Sequence, residues 1–63
     1  MTIHDFIECA APNLRIGIID GDEFIRVYDD AHDIPQALRA ADIYRVDVAM
    51  DYGRIYVELT IYQ

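Results

Sequence analysis

Apolar and polar residues alternate strictly over the last third of the chain, from Ile43 to Tyr62. The apolar positions are Tyr44, Val46, Val48, Met50, Ile55, Val57, Leu59 and Ile61. Such alternation is typical of half-buried strands. A turn centred on Tyr52-Gly53 predicts the pairs Met50–Ile55, Val48–Val57, Val46–Leu59 and Tyr44–Ile61. All eight side chains then share one face of a hairpin, and a slip of one residue would break all four pairs.

A second hairpin is predicted between Leu14–Ile19 and Phe24–Tyr28, around an acidic turn. A turn centred on Gly21-Asp22 pairs Ile18 with Ile25 and Ile16 with Val27. A turn centred on Asp20-Gly21 has the stronger turn composition, but it places Arg15 opposite Arg26, a like-charge pair. We therefore prefer the first register.

Two short helices are predicted by capping residues and apolar stripes. Thr2 caps the first helix, and Asp5 takes the capping-box position. The stripe is Ile3, Phe6, Ile7 and Ala10, and the helix stops before Pro12-Asn13. Asp33 is the expected cap of the second helix, with Pro35 in its first turn and Gln36 at the capping-box position. Its stripe is Ile34, Ala37, Leu38 and Ala41, and it ends near Asp42.

The resulting order of elements is αββαββ within one domain, residues 1–63. Each αββ unit is too small to bury its own apolar face. We expect an α+β two-layer sandwich with a four-stranded, mostly antiparallel sheet and both short helices on one face. The order of the strands in the sheet does not follow from the sequence.

The length and charge of the chain limit its chemistry. A 63-residue core rarely supplies more than ~3–5 kcal/mol of net stability. A single cysteine rules out an internal disulfide, so regular packing or self-association is expected to compensate. The first twelve residues do not resemble a signal peptide, and no run approaches the ~20 apolar residues of a membrane span. We expect a cytoplasmic location.

The net charge of −7, with no lysine, opposes direct contact with nucleic acid or an anionic membrane and suits a basic partner. Six acids lie between residues 20 and 33, and only Arg26 offsets them. They are Asp20, Asp22, Glu23, Asp29, Asp30 and Asp33. If the hairpin turn and the following loop converge at one edge, these acids form a negative patch that imitates nucleic-acid phosphates. The alternative is a solvated region that discourages edge pairing.

No catalytic or metal-binding pattern is present. His4 and Cys9 lie about 140° apart around a helix, so they do not face each other. Cys9 is expected to be a small semi-buried core residue. The acidic turn fails the calcium-loop pattern at Phe24 and Ala31. We expect neither enzyme activity nor a cofactor.

The outer face of the sheet is the second candidate for binding. The register places Asp47 directly opposite Glu58, with Arg45 on the diagonal. Around them we expect Tyr56, Tyr62, Ile43, Ala49, Ile19, Phe24, Arg15 and Tyr28. Such a mixture of tyrosine, arginine and aliphatic residues is typical of an interface. Ile19, Phe24, Ile43 and Tyr56 are the expected contacts for self-association; the alternative is a solvated face.

The whole chain resembles the short accessory proteins encoded by bacteriophages and prophages. The resemblance lies in Thr2-Ile3-His4-Asp5-Phe6-Ile7, a strand ending in an Asp turn, Ile34-Pro35-Gln36-Ala37-Leu38, and Ile55-Tyr56-Val57-Glu58-Leu59. It implies a non-enzymatic protein that blocks host defence. One such class is acidic anti-CRISPR inhibitors, which occupy the nucleic-acid site of a Cas protein.

A second class is oligomeric sponges that sequester a nucleotide immune signal. The absence of lysine disfavours this class, although Arg15, Arg26, Arg45 and Arg54 can hold phosphate through paired hydrogen bonds. The leading hypothesis is therefore an inhibitor of a host protein with a basic surface. A nucleotide sponge and a structural homodimer are the alternatives.

Overall fold

The computed structural model describes residues 1–63 and shows a small α+β protein with a four-stranded mixed sheet and two helices. The elements are α1 (Ile3–Cys9), β1 (Ile16–Asp20), β2 (Glu23–Tyr28), a 3₁₀ helix (Ala31–Asp33), α2 (Gln36–Arg39), β3 (Ile43–Asp51) and β4 (Arg54–Ile61). The strand order is β2-β1-β4-β3. The two hairpins are antiparallel, and they join through a parallel pairing of β1 with β4.

Helix α1 forms as its capping residues predict. The Thr2 hydroxyl accepts a hydrogen bond from the Asp5 amide, and the Asp5 carboxylate accepts one from the Thr2 amide. The capping box is therefore confirmed. Ile3 is fully buried, and Phe6 and Ile7 pack against the same core.

The second helix differs from the prediction. Asp33 does not cap it but ends the 3₁₀ helix, whose cap is Asp30. α2 begins only at Gln36, and Pro35 precedes it without any side-chain cap. The reason is that a proline forces the residue before it out of the helical region, and Ile34 is indeed extended, with ψ of 123°. The predicted helix is therefore shortened to the single turn Gln36–Arg39, and a separate 3₁₀ turn forms before it in the segment predicted as a loop.

The β3–β4 hairpin confirms three of the four predicted pairs. Met50 lies opposite Ile55, Val48 opposite Val57, and Val46 opposite Leu59. The turn residues Tyr52 and Gly53 both have positive φ, as a two-residue type I′ turn requires.

The fourth pair, Tyr44 with Ile61, is wrong because a bulge lies between Ile43 and Arg45. Ile43 takes the place opposite Ile61 and packs against the core, so it is not on the outer face. The Ile43 amide also donates to the Met1 carbonyl at 2.8 Å. These bonds hold the start of β3 beside the N-terminus and leave Tyr44 exposed.

The β1–β2 hairpin has the predicted turn but a different register farther from it. Gly21 has φ of 63°, which suits a two-residue turn centred on Gly21-Asp22. A bulge after Ile18 then shifts the pairing, so that Ile16 faces Tyr28 and Ile18 faces Arg26. The predicted partners Val27 and Ile25 are therefore wrong.

This shift moves Tyr28 from its predicted place on the outer face into the core, where it is buried. Arg26 becomes exposed, and its guanidinium stands 5.1 Å from the centre of the Tyr28 ring.

The core lies between one sheet face and the helical segments. Its fully buried side chains are Ile3, Ile16, Ile18, Ile34, Leu59 and Ile61. These residues come from the two central strands, from α1 and from the residue before Pro35. The helical segments are seven, three and four residues long.

The helices do not cover the outer part of β3. Val46, Val48 and Met50 share the core face of the sheet, because they pair directly with β4, yet they are 52%, 73% and 64% exposed. Ile55 is 62% exposed beside them. The expectation that the helices shield every apolar residue of this hairpin is wrong for these four.

Candidate binding surface

The six acids between residues 20 and 33 do not converge at one edge. Asp20, Asp22 and Glu23 lie at the β1–β2 turn, and Asp29, Asp30 and Asp33 follow the far end of β2. Five residues of β2, Phe24 to Tyr28, separate Glu23 from Asp29, a distance of about 20 Å along an extended strand. The condition for a single negative patch is therefore not met.

Asp29 is held by Arg15. Arg15 Nε donates to Asp29 at 2.8 Å, and Arg15 Nη1 donates to Asp51 at 3.0 Å. The hydrogen bond from Arg15 lowers the pKa of Asp29 below its ordinary value, and the two carboxylates raise the pKa of Arg15. The Arg15 side chain is only 13% exposed. Arg15 therefore links the end of β2 to the end of β3, and neither it nor Asp29 is a free contact group.

The other two acids of this loop differ in their contacts. Asp30 accepts hydrogen bonds from the His32 amide at 2.9 Å and from the His32 ring at 3.0 Å. The amide bond is the main cause of a lowered pKa at Asp30. Asp33 is exposed and lines a cavity of about 240 Å³ with Arg26 and Asp29. This end of the sheet is therefore acidic but mostly engaged in local bonds.

Tyr56 is buried, whereas the sequence predicted an exposed contact residue. Its ring lies over Gly17 of β1, so close that a Cβ atom there would stand 2.5 Å from a ring carbon. The hydroxyl donates to Glu58 at 3.2 Å. Burial, then the bond to Glu58, raises the pKa of Tyr56 above its ordinary value. Tyr56 is thus a packing residue of the outer face. Only glycine at position 17 leaves room for its ring.

Five of the residues predicted to bind a partner, and Ile19 from the predicted self-association set, do meet in an open groove of about 370 Å³ on the outer face beside the β1–β2 turn. The five are Asp22, Arg45, Asp47, Glu58 and Tyr62. Ile19, Gly21, Tyr44 and Thr60 complete the lining. We call these nine residues the acidic groove.

The acidic groove carries more negative than positive charge. Asp47 lies opposite Glu58 in the β3–β4 ladder, and Arg45 Nε pairs with Asp47 at 2.7 Å. Asp22 adds a third carboxylate from the neighbouring turn. Asp20 stands nearby but accepts a bond from the Gln63 amide at 3.1 Å. One arginine thus faces three carboxylates, which leaves an excess of about two negative charges.

Two tyrosines border the acidic groove. The rings of Tyr44 and Tyr62 meet edge to face, with their centres 5.0 Å apart. Tyr44 was predicted to face the helices and was missed as a site residue, because the bulge at the start of β3 is not visible in the alternation. Tyr62 lies where it was predicted.

The expected self-association contacts on the outer face are largely unavailable. Ile43 packs against the core and Tyr56 is buried. Ile19 is half-buried in the acidic groove, which leaves Phe24 as the exposed member of the set. A contiguous set of exposed apolar side chains, Val46, Val48, Met50 and Ile55, lies instead on the opposite face.

The side chains considered for catalysis or metal binding, Cys9 and His4, do not form a common site. Cys9 is exposed rather than semi-buried. His4 pairs with Glu8 one helical turn away, at 3.3 Å. No group of three or more His, Cys, Asp or Glu side chains is arranged to hold a metal ion.

The chain matches no protein-family model, no curated protein and no solved structure. Its helices are too short and too polar for any of them to cross a bilayer.

Proposed function

We propose that this chain is a non-enzymatic, phage-type anti-defence protein that acts in the host cytoplasm. It inhibits a host immune protein by occupying that protein's basic, nucleic-acid-binding surface, as acidic anti-CRISPR proteins do. The proposal assumes a two-layer arrangement in which both helices cover one sheet face and the other face meets the partner.

The acidic groove is the observation that supports this proposal most strongly. Asp22, Asp47 and Glu58 come from three separate elements and converge on one surface. Carboxylates spaced in this way can accept hydrogen bonds from the arginines and lysines that otherwise bind phosphate. The net charge of −7 adds long-range attraction to such a partner.

The tyrosine pair gives the acidic groove an apolar wall. Tyr44 is 74% exposed and Tyr62 is 61% exposed. Exposed tyrosines combine a large apolar area with a hydroxyl, and they are enriched where proteins bind each other. The combination favours a protein partner over a simple counter-ion.

The test is inhibition of a CRISPR–Cas system in cells, measured by phage plating efficiency, followed by binding to the Cas effector that responds. The groove variant D22N/D47N/E58Q keeps the hydrogen-bond acceptors but removes three charges. The matched control E23Q/D30N/D33N removes the same charge outside the acidic groove. We expect the groove variant to lose at least tenfold in affinity, and the control to lose much less.

Salt dependence gives a second readout of the same binding step. Wild-type affinity should fall steeply as salt increases, and the groove variant should show a shallower slope. Equal affinities for the groove variant and the control would contradict the role of the acidic groove. Full restoration of phage plating by both variants would contradict phosphate imitation as the mechanism.

The nucleotide-sponge alternative has less support. Arg15 is held by two carboxylates, Arg45 by Asp47, and Arg39 donates to the carbonyls of Ile34 and His32 at 3.0 Å. A phosphate would have to displace these partners. Of the other two arginines, Arg54 reaches Asp29 only at 4.0 Å and Arg26 lies over the Tyr28 ring, so at most these two are open to a phosphate. Calorimetry with cyclic nucleotides and ADP-ribose tests the alternative directly, and we expect no binding heat.

A further inference from the structure

Strand β3 is an edge strand whose free side can accept another strand. It lies at the end of the order β2-β1-β4-β3. Val57 of β4 donates its amide to the Arg15 carbonyl at 3.0 Å, on the side away from β3. The Val48–Val57 pair is therefore a non-hydrogen-bonded pair of the antiparallel ladder. It follows that Val48, and with it Val46 and Met50, direct their N–H and C=O groups to the free edge.

The N-terminus already occupies the beginning of this edge. The Ile43 amide donates to the Met1 carbonyl, and Thr2 forms a bridge with Asp42. Tyr44 follows as the bulged residue. The regular, unpaired stretch is thus Arg45–Asp51, seven residues whose midpoint is Val48.

This stretch has little protection on its core face, because its three charged residues, Arg45, Asp47 and Asp51, all lie on the outer face. It contains no proline or lysine, and its core-face side chains are the exposed Val46, Val48 and Met50. A long edge with exposed β-branched residues favours pairing with another strand. Together with Ile55 these three residues form what we call the β3 strip.

We propose that the occupant of this edge is a second copy of the chain, paired antiparallel through β3 about a two-fold axis at Val48. Val48 then faces Val48 of the second copy, and Val46 faces Met50 of the second copy. On the other face, Arg45 lies opposite Asp51 of the second copy, and this pair occurs twice. Arg45 also pairs with Asp47 and Asp51 also accepts from Arg15, so each cross-copy pair extends an existing charge network. The edge is therefore complementary to itself in both apolar contact and charge.

Other registers are less favourable. An axis at Asp47 places two copies of that carboxylate face to face, and an axis at Ala49 places Asp47 opposite Asp51 of the second copy. An axis at Val46 requires the edge at Asp42–Ile43, which Met1 and Thr2 occupy. Only the axis at Val48 pairs all seven regular residues without a like-charge contact.

The dimer has one continuous eight-stranded sheet. Because the two-fold axis is perpendicular to the sheet, both β3 strips lie on the same side and join across the axis. Both acidic grooves lie together on the opposite side. The dimer does not require the acidic groove to bind anything, so its test is separate from that of the proposed function.

Light scattering or sedimentation of the full chain tests the proposal. We expect wild type to have twice the 7.3 kDa chain mass and V48K to have the mass of one chain, because V48K places two ammonium groups together at the axis. Val48 is exposed in the single chain, so V48K should fold normally by circular dichroism. The control F24K alters another exposed apolar side chain, on the opposite edge strand, and should remain dimeric.

A nitroxide label gives an independent readout if V48K folds poorly. On a Cys9→Ser background, labelled V48C should show strong dipolar broadening, since opposed Cα atoms lie about 5.5 Å apart in a hydrogen-bonded pair. Dilution with unlabelled chain should remove the broadening. A wild-type mass of one chain, or dimers that persist in V48K without broadening in V48C, would overturn the proposal. In the first case the edge is open to a strand of a different protein.

Discussion

One face of the sheet consists of two halves that look alike in sequence and differ completely in burial. In the half formed by β1 and the end of β4, Ile16, Ile18, Leu59 and Ile61 are fully buried. In the half formed by β3 and the start of β4, the β3 strip is more than half exposed. The same apolar alternation therefore serves a core in one half and an exposed surface in the other.

The difference arises from the reach of the helices. Ile3 of α1 and Ile34 before α2 pack over the central strands. With so few helical residues, nothing remains to extend over β3. Alternation thus reports which face of a strand is apolar, but coverage is decided by elements elsewhere in the chain.

The sharpest test of the comparison changes one residue in each half. Leu59→Ala removes a fully buried side chain, and such changes cost about 2–5 kcal/mol. This cost equals the whole free energy of unfolding expected of so short a chain. We therefore expect the Leu59→Ala variant to be largely unfolded at 25 °C. Val48→Thr keeps the branched shape and should change the free energy of unfolding of the single chain by less than about 0.5 kcal/mol. Urea unfolding at low protein concentration measures both; equal losses would contradict the division.

Gly17→Ala tests the packing on the outer face of the half formed by β1 and the end of β4, the half that the helices cover. The new methyl group would force the Tyr56 ring off β1, at a cost of about 1–3 kcal/mol for overpacking. In Y56A the ring is absent, so Gly17→Ala should cost much less there. A double-mutant cycle in urea measures this coupling. Purely additive effects would show that the ring does not pack on Gly17.

Tyr52→Asn examines the turn of the uncovered half. Tyr52 has φ of 47° and is almost fully exposed. Asparagine tolerates this conformation better, and Asn-Gly is the favoured pair for a type I′ turn. We expect a gain of about 0.5–1 kcal/mol in the free energy of unfolding. A loss, measured by thermal unfolding, would mean that the Tyr52 ring makes a stabilising contact.

The smallest expected effect concerns Arg15, which links the two halves through its bonds to Asp29 and Asp51. This effect depends on pH. Arg15 lowers the pKa of Asp29, whose ordinary value is 3.8. The stabilisation is therefore complete above pH 3.8 and is lost as the pH falls through the lowered pKa. The difference in stability between wild type and Arg15→Gln should shrink below pH 3.8.

Arg39→Gln is the control for this prediction. Arg39 donates to backbone carbonyls, which do not titrate, so its contribution should be constant over the same range. Urea unfolding between pH 2.5 and 7 compares the two variants. Parallel pH profiles would show that Arg15 does not act through a carboxylate.

Short-range features of the fold were predictable from the sequence. The α1 capping box and both turn centres depend on residues within a few positions of each other. The cross-strand pairs of Val46, Val48 and Met50 with β4 follow from the Tyr52-Gly53 turn and from the unbroken alternation on both sides of it. The irregularities at Ile25 and Tyr44 were not predictable, because neither interrupts the apolar alternation in a way that marks it. The one in β3 accompanies a long-range contact, between Ile43 and the N-terminus.

The acidic groove was predictable only in part. Asp47 and Glu58 share one hairpin, so their pairing followed from the register. Asp22 joins them because β1 pairs in parallel with β4, a contact that no local pattern encodes. The burial of Tyr56 depends on the same pairing, since it brings the small Gly17 beneath the ring.

Amide hydrogen exchange along β3 tests the central claim most directly, namely that this uncovered strand has a free edge and that a second copy pairs with it. The amides of Arg45, Asp47 and Ala49 face β4 and should be protected at every protein concentration. The amides of Val46, Val48 and Met50 should be protected at high concentration and should exchange rapidly after dilution or in V48K. Protection of Val48 that does not change with concentration would contradict the free edge, and rapid exchange at all concentrations would contradict the second copy.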